Sequence, residues 1–209
     1  MSRTKGINSK KRKLRDHYAT PEWCIHPMAD ALYNIIAQDT FIHPFYLCDI
    51  GAGDGRIADI CKKKLASKIK THCLLIDLVQ AKTTPKGCRW LIKDFMKLNL
   101  DKLFTNKYMP KLFVSNPPFS ASNKIVFKTV EYLNTCQTGL AVFLLRVNWL
   151  GSTTRSTWLQ ANPPQKLLVV TPRPSFTGKG TDASEYAWFM WSTSNMNLGN
   201  VINIIKKVQ

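Results

Sequence analysis

The sequence predicts a single α/β domain built around a mostly parallel sheet. From residue 45 onward, short apolar runs alternate with segments of helical periodicity, which implies crossover connections between parallel strands. The six runs are Phe45–Ile50, Cys73–Ile76, Trp90–Ile92, Leu112–Ser115, Leu140–Leu145 and Leu167–Val170. A seventh run, Glu185–Trp191, follows a loop too short for another clear helix, so we expect it to return antiparallel. The prediction is seven strands with an antiparallel last strand and helices on both faces. Segment 195–209 offers a further edge strand near 201–205.

Helical patterns fit between the runs at 56–67, 121–134 and 152–161. Ahead of the first strand, apolar side chains repeat at helical spacing in Met28, Leu32, Ile35 and Ile36. Thr20 and Pro21 have the residue types of an N-cap and a first helical position, and Glu22 is an acid in the first turn. These residues predict where the helix begins. Pro27 predicts a kink or a restart of this helix.

The charge of the chain is strongly positive. Its 209 residues include 30 Lys and Arg against 13 Asp and Glu, a formal net charge of +17 at neutral pH. Such a charge favours a polyanionic partner, because each phosphate contact by Lys or Arg releases counterions. We interpret it as nucleic-acid binding, and a solubility tail or a targeting signal is the alternative.

The basic residues are concentrated at the start of the chain. Residues 1–15 hold seven basic side chains and no acidic one, and residues 1–16 lack apolar periodicity. We expect a basic tail at 1–16 that is disordered without a ligand, followed by one folded domain at 17–209. The tail supplies the candidate phosphate contacts Lys10, Lys11, Arg12 and Lys13.

Several classes of protein are excluded. The longest apolar runs have six residues, whereas a membrane-spanning helix needs about 20. The basic start is not followed by the apolar stretch of a secretory signal, so we expect a chain that is not secreted and whose cysteines are reduced. We expect it in the cytoplasm, or at the nucleoid or nuclear site of the host DNA. The six cysteines and four histidines show no metal-ligand spacing, and we expect no metal site.

A glycine-rich turn follows the first predicted strand. It reads Asp49-Ile-Gly-Ala-Gly-Asp-Gly-Arg56, and glycines at alternate positions let the backbone turn sharply and approach a ligand. The dinucleotide fingerprint GxGxxG fails because Arg56 stands where its third glycine belongs. Asp77 ends the second strand, 26 residues after Gly51, and Asp94 follows the third strand. This register of acids and glycines at three strand ends predicts a ligand site there.

The turn resembles the DxGxGxG motif of the S-adenosylmethionine-dependent methyltransferases of the Rossmann-like class I. The resemblance implies S-adenosylmethionine as cofactor, and other nucleotide binding is the alternative. It implies that Asp77 accepts both ribose hydroxyls, that Leu78 packs on the adenine face, and that Asp94 and Phe95 contact the adenine amino edge. The motif itself would contribute Asp49, Gly51, Ala52 and Gly53.

The fourth strand ends in Asn116-Pro117-Pro118-Phe119. The lone pair of an exocyclic amine is delocalised into its ring, so the nitrogen is a poor nucleophile. Hydrogen bonds from the amine to the Asn116 side-chain oxygen and the Pro117 carbonyl would localise that lone pair. Two prolines fix the turn, and Phe119 offers a ring face to the substrate. The alternative is a plain strand-ending turn with Phe119 in the core.

The NPPF turn at this place resembles the methyltransferases that act on the N6 amine of adenine, and the order of motifs resembles their gamma group. Segments 173–176 and 181–188 are similar to small phage-type DNA adenine methyltransferases, and the resemblance covers about 17–192. It implies that segment 18–21, with Tyr18, Thr20 and Pro21, closes over the methionine end of the cofactor. The separate target-recognition domain of many relatives is absent, so a homodimer or a specificity partner is a further expectation.

An amine inside a duplex is reached by extruding its base, which then needs stacking surfaces and a basic rim. Phe119 and Phe176 are the candidate clamp. The candidate phosphate contacts on the body are Arg173, Lys179, Lys124 and Lys128.

Other functional interpretations of the same residues remain open. An RNA adenine or guanine amino-methyltransferase would use the same turn and the same basic charge. A methyltransferase acting on glutamine amides of proteins also has an Asn-Pro-Pro turn, although the charge of +17 argues against a protein substrate. A noncatalytic nucleic-acid-binding subunit that keeps the fold is the alternative outside the enzymes.

Overall fold

The structure is a computed structural model that describes residues 19–38, 44–106, 108–178, 180–193, 198–199 and 201–207. The basic tail with Lys10, Lys11, Arg12 and Lys13 lies outside the described residues, as do Tyr18 and Lys179.

One sheet of eight strands forms the centre of the described chain. The strands are β1 (Phe45–Ile50), β2 (Thr71–Asp77), β3 (Cys88–Ile92), β4 (Lys111–Ser115), β5 (Gly139–Arg146), β6 (Lys166–Thr171), β7 (Tyr186–Ser192) and β8 (Ile202–Lys206). Their order is β3-β2-β1-β4-β5-β7-β6-β8. Only β7 runs antiparallel to its described neighbours, β5 and β6. The predicted seven strands and the antiparallel direction of the last are confirmed.

The sheet has one strand more than the seven expected. β8 pairs parallel with β6, with Leu167 opposite Ile202. It corresponds to the further edge strand that the sequence predicted near 201–205. Ile202 and Ile204 of β8 are exposed, and Asn203 interrupts its apolar pattern, so the segment does not have the continuous apolar run of the buried strands.

Helices cover both faces of the sheet, as predicted. They are α1 (Glu22–Ala37), α2 (Arg56–Leu65), α3 (Leu100–Leu103), α4 (Ser122–Leu133) and α5 (Ser156–Ala161), with 3-10 turns at Phe95–Lys97, Val147–Gly151 and Thr153–Arg155. One apolar core lies between the sheet and α1 with α2, and includes Leu47, Leu75 and Trp188. The other contains residues of α3 and α4 together with Phe113 and Trp191.

The start of α1 differs from the prediction. Pro21, not Thr20, is the residue before the helix, and no side chain caps the helix there. The helix also continues through Pro27 without a restart. A proline in a helix loses one backbone hydrogen bond, and burial of the apolar stripe offsets that loss. The buried residues of the stripe are Cys24, Ile25, Met28, Ala29, Leu32, Ile35 and Ile36.

The described residues contain no helix long and apolar enough to cross a membrane. In the same part of the chain, no three His, Cys, Asp or Glu side chains come together as a metal site would require. The six cysteines are free, and Cys24, Cys48, Cys61 and Cys73 are buried. They pack as small apolar residues.

Candidate active site

Four neighbouring parallel strands bring the motifs to one edge of the sheet. The glycine turn follows β1, Asp77 ends β2, Asp94 lies two residues after β3, and Asn116 follows β4. Because β3, β2, β1 and β4 are adjacent and parallel, their carboxyl ends meet at the same edge. This edge is where open α/β sheets bind ligands.

The glycine turn depends on its backbone conformation. Gly51, Gly53 and Gly55 have φ angles of +67°, +61° and +78°, which disfavour any residue with a Cβ atom. The amides of Gly51 and Ala52 donate to the Ile76 carbonyl oxygen at 2.8 and 3.1 Å. The turn is therefore fastened to the end of β2.

Asp77 holds the same turn from its side chain. Its Oδ2 accepts from the Gly53 amide at 2.9 Å, and its Oδ1 accepts from the Leu78 amide at 2.6 Å. A carboxylate has about four lone-pair directions, so these bonds leave acceptor capacity for a ligand hydroxyl. The carboxylate sits between the glycine turn and the exposed surface beyond β2.

An apolar surface lies at the ends of β2 and β3. Leu78 and Val79 are each 68% exposed, and Ile92 is 52% exposed. Large apolar side chains exposed together in this way indicate a binding surface. Leu78 was expected here, whereas Val79 and Ile92 were missed because the sequence gives no sign of which strand-end residues are exposed.

Asp94 and Phe95 have different surroundings. The Asp94 carboxylate accepts from the Met96 amide at 2.9 Å and caps the short 3-10 turn that follows. Phe95 is only 6% exposed and belongs to the core below the sheet edge. Its ring therefore cannot stack on a ligand, and a contact from Phe95 would come from its main chain.

Asp49 is fully buried under the glycine turn. Its Oδ2 accepts from the Ala58 amide at 3.2 Å, which ties the end of β1 to the first turn of α2. Its Oδ1 is buried and has no hydrogen-bond partner among the described residues. Burial raises the pKa of Asp49 well above its usual range, and the bond from Ala58 opposes that rise. The carboxyl group supports the turn from beneath.

The Asn116–Phe119 turn packs against the glycine turn. A Cβ atom built on Gly51 would lie 3.6 Å from Cδ of Pro118. The Ser115 hydroxyl donates to the Ile50 carbonyl oxygen and links the two strand ends. The two motifs that the sequence separates by more than 60 residues therefore form one site.

Asn116 is oriented by the segment before α1. Its Nδ2 donates to Thr20 Oγ1 at 3.0 Å. Thr20 is buried, and its carbonyl oxygen accepts from Arg56 at 3.4 Å. Arg56 in turn pairs with Asp54 of the glycine turn at 2.6 Å. Arg56, noted in the sequence only as an interruption of a fingerprint, thus bridges the glycine turn and the Thr20 segment.

A second wall of the site lies at the end of β5 and the start of β7. Phe119 is 39% exposed, and the guanidinium carbon of Arg146 lies 4.2 Å from the centre of its ring. Arg146 Nε donates to the Tyr186 hydroxyl at 3.1 Å, and that hydroxyl donates to Asp182 at 3.2 Å. Arg146 and Tyr186 were missed, because no local pattern distinguishes them from other strand-end residues.

The remaining predicted contacts are placed as follows. Phe176 is half-buried against the core and meets Tyr186 edge-on at 5.0 Å, so packing already uses part of its ring. Arg173 is exposed and donates to the Ala183 carbonyl oxygen at 3.2 Å. Lys124 is exposed on α4. Lys128, expected as a phosphate contact, is instead bound to carbonyl oxygens of its own chain.

Comparisons with known proteins identify the fold. No protein-family description matches the chain, and no curated protein does. A Listeria monocytogenes protein provisionally assigned to the class I S-adenosylmethionine-dependent methyltransferases superposes with a TM-score of 0.62 at 12% identity, covering 96% of this chain and 67% of that one. The M protein of the type I restriction enzyme EcoKI superposes with a TM-score of 0.56 at 13% identity, covering 92% of this chain and 49% of that one.

The chain thus has the Rossmann-like fold of the class I S-adenosylmethionine-dependent methyltransferases. It spans about half the length of the EcoKI M protein. At these identities the likeness shows the fold alone.

The backbone constraint at the glycine turn gives a testable difference between two glycines. A Cβ atom on Gly55 would lie 3.0 Å from Leu75 and 3.1 Å from Pro85, whereas a Cβ atom on Gly178 would meet nothing within 4 Å. Both have positive φ. We expect Gly178→Ala to lower the free energy of unfolding by about 1–2 kcal/mol, and Gly55→Ala by about 1–3 kcal/mol more, because of crowding. Urea denaturation of both variants measures this, and equal losses would contradict it.

Proposed function

We propose that the protein transfers the methyl group of S-adenosylmethionine to the exocyclic N6 amine of adenine in DNA. The observation that carries the proposal is the contact between the Asn116–Phe119 turn and the glycine turn at one sheet edge. In this proposal the Asn116–Phe119 turn would offer two acceptors for an amine, beside a loop whose backbone can approach a cofactor closely.

The residues present fit S-adenosylmethionine. Asp77 would hold the ribose hydroxyls, and the exposed surface of Leu78 and Ile92 would pack on the adenine ring. Gly51 and Gly53 would allow the close approach of the methionine end, and the unpartnered buried Oδ1 of Asp49 lies beneath this turn. When bound, the cofactor supplies an electrophilic methyl group on a sulfonium.

Asn116 and Pro117 would orient the amine. The Asn116 side-chain oxygen and the Pro117 carbonyl oxygen each accept one N–H of the amine, which draws the nitrogen toward tetrahedral geometry. The bond from Asn116 Nδ2 to Thr20 fixes the amide plane, and buried Pro117 fixes the carbonyl. The N–C bond would form as the bond between the methyl group and the sulfonium breaks, which leaves S-adenosylhomocysteine. Because neither residue removes a proton, the amine would then release its extra proton to solvent.

Two observations favour a nucleic-acid base as the substrate. The net charge of +17 suits a polyanion. Phe119, half-exposed beside Asn116, offers a ring on which an extruded base can stack. DNA is favoured over RNA by the resemblance of segments 173–176 and 181–188 to phage-type DNA adenine methyltransferases. The EcoKI M protein, which belongs to a type I restriction enzyme, shares the fold.

Replacement of Asn116 tests the chemistry. We expect Asn116→Ala to lower the methylation rate at least about 100-fold, since one amine acceptor is lost, and to change the cofactor dissociation constant less than about threefold. Asn134→Ala is a matched control, because Asn134 is exposed at the far end of α4. Radioactive methyl transfer to DNA measures the rate, and calorimetry measures the affinity.

Nucleoside mass spectrometry of DNA and RNA from cells that produce the chain, or its Asn116→Ala variant, identifies the product. N6-methyladenine in DNA is expected with the unchanged chain alone. Methylation confined to RNA would replace the substrate class, and bound cofactor without any product would indicate a noncatalytic subunit.

Replacement of Asp77 tests the cofactor site. We expect Asp77→Ala to weaken S-adenosylmethionine binding at least tenfold, because the variant loses the ribose acceptor and the bond to Gly53. Asp59→Ala is the control, since Asp59 pairs only with Lys63 on the outer side of α2 among the side-chain contacts described. Equal dissociation constants for the two variants in calorimetry would refute the assignment.

A further inference from the structure

Lys128 joins two parts of the site that lie far apart in the sequence. It belongs to α4, and its ammonium group donates to the carbonyl oxygens of Phe95, Met96 and Leu98 at 2.9, 2.9 and 2.6 Å. The same nitrogen lies 5.2 Å from the centre of the Phe95 ring. An ammonium group has three N–H donors, and each has an acceptor here.

The three carbonyl oxygens belong to the short turn that follows Asp94. The Asp94 side chain accepts from the Met96 amide and so caps the amino end of this turn. The Lys128 ammonium group donates to the carbonyl oxygens of the turn. A cation at the carboxyl end and an anion at the amino end of a helical turn both act favourably on its dipole. Segment 94–98 is thereby held at both ends, although the turn has only three residues.

The amino end of α4 is attached to the Asn116–Phe119 turn. The Ala121 amide donates to the Pro118 carbonyl oxygen at 2.9 Å, and the Ser122 hydroxyl donates to the Phe119 carbonyl oxygen at 3.1 Å. The first turns of α4 therefore connect the proposed amine acceptors with segment 94–98. Lys128 is the side chain that completes this connection.

We propose that Lys128 is a positioning residue that holds segment 94–98 in the conformation required by the adenine end of the cofactor. This inference rests on the proposed function, in which Asp94 and the main chain of Phe95 contact the adenine amino edge. Lys128 touches no reacting atom. Its effect should therefore fall on cofactor affinity and not on the methyl-transfer step.

The experiment compares Lys128→Met with Lys102→Met, a change at an exposed lysine of α3. Calorimetry measures the dissociation constants of S-adenosylmethionine and of 5′-methylthioadenosine, which lacks the amino-acid part. We expect both constants to rise at least tenfold in Lys128→Met and less than twofold in Lys102→Met. At saturating cofactor, kcat should stay within about threefold of the unchanged chain, so that the loss appears in KM for the cofactor.

Lys128→Arg keeps a cation with several N–H donors and should recover part of the affinity. If Lys128→Met does not fold, Lys128→Arg tests the inference instead. We then expect the dissociation constants of S-adenosylmethionine and 5′-methylthioadenosine to rise about two- to fivefold.

A folded Lys128→Met or Lys128→Arg protein with unchanged constants would overturn the inference. A fall in kcat with unchanged KM for the cofactor would overturn it as well. Failure of the unchanged chain to bind S-adenosylmethionine would instead refute the proposed function, so the two failures are distinguishable.

Discussion

The parallel pairing of β1 with β4 is the constraint on which the site depends. Asp49 stands opposite Val114 in this pairing, so both strands end within two residues of that point. Gly51 and Asn116 leave the sheet side by side as a result, and the contact of Gly51 with Pro118 follows from the register. Because β4 is buried on both faces, a shift of its register by one residue would exchange Leu112 and Val114 of one apolar core with Phe113 of the other. The core that stabilises the sheet therefore also sets the position of the site.

The direction of β7 adds the second wall. Because β7 runs antiparallel to β5, its first residue lies beside the last residue of β5, and Tyr186 stands opposite Arg146. β6 also ends at this edge, so the loop from β6 to β7 is carried to the same side as the glycine turn. Asp182 of this loop then reaches Tyr186, and Arg146 continues the contact to Phe119. Contacts through Asp182, Tyr186 and Arg146 thus connect β7 with the Asn116–Phe119 turn.

Strands β4 and β5 were predictable because they are buried on both faces and read as continuous apolar runs. The glycine turn was predictable because glycines at alternate positions indicate a sharp turn with positive φ angles. Thr20 was misassigned because a hydroxyl before Pro and Glu is also the local signature of a helix cap. Its actual partner, Asn116, lies 96 residues away. Lys128 was also misassigned because its partners are distant in the sequence. Its acceptors lie 30 to 33 residues before it and leave no pattern in its own helix.

The cations of the described residues differ in whether their side chains are already bound within the chain. Arg56 is paired with Asp54, Lys128 is bound to three carbonyl oxygens, and Arg146 is bound to Tyr186 beside the ring of Phe119. These cations stabilise the sheet edge that carries the candidate site, where the acidic groups Asp49, Asp77 and Asp94 also lie. A cation whose donors are already occupied gains little from a phosphate, because a bond must be broken for each one formed. Among the described residues, phosphate contacts would therefore come from exposed side chains such as Lys124, which flank the site and do not build it.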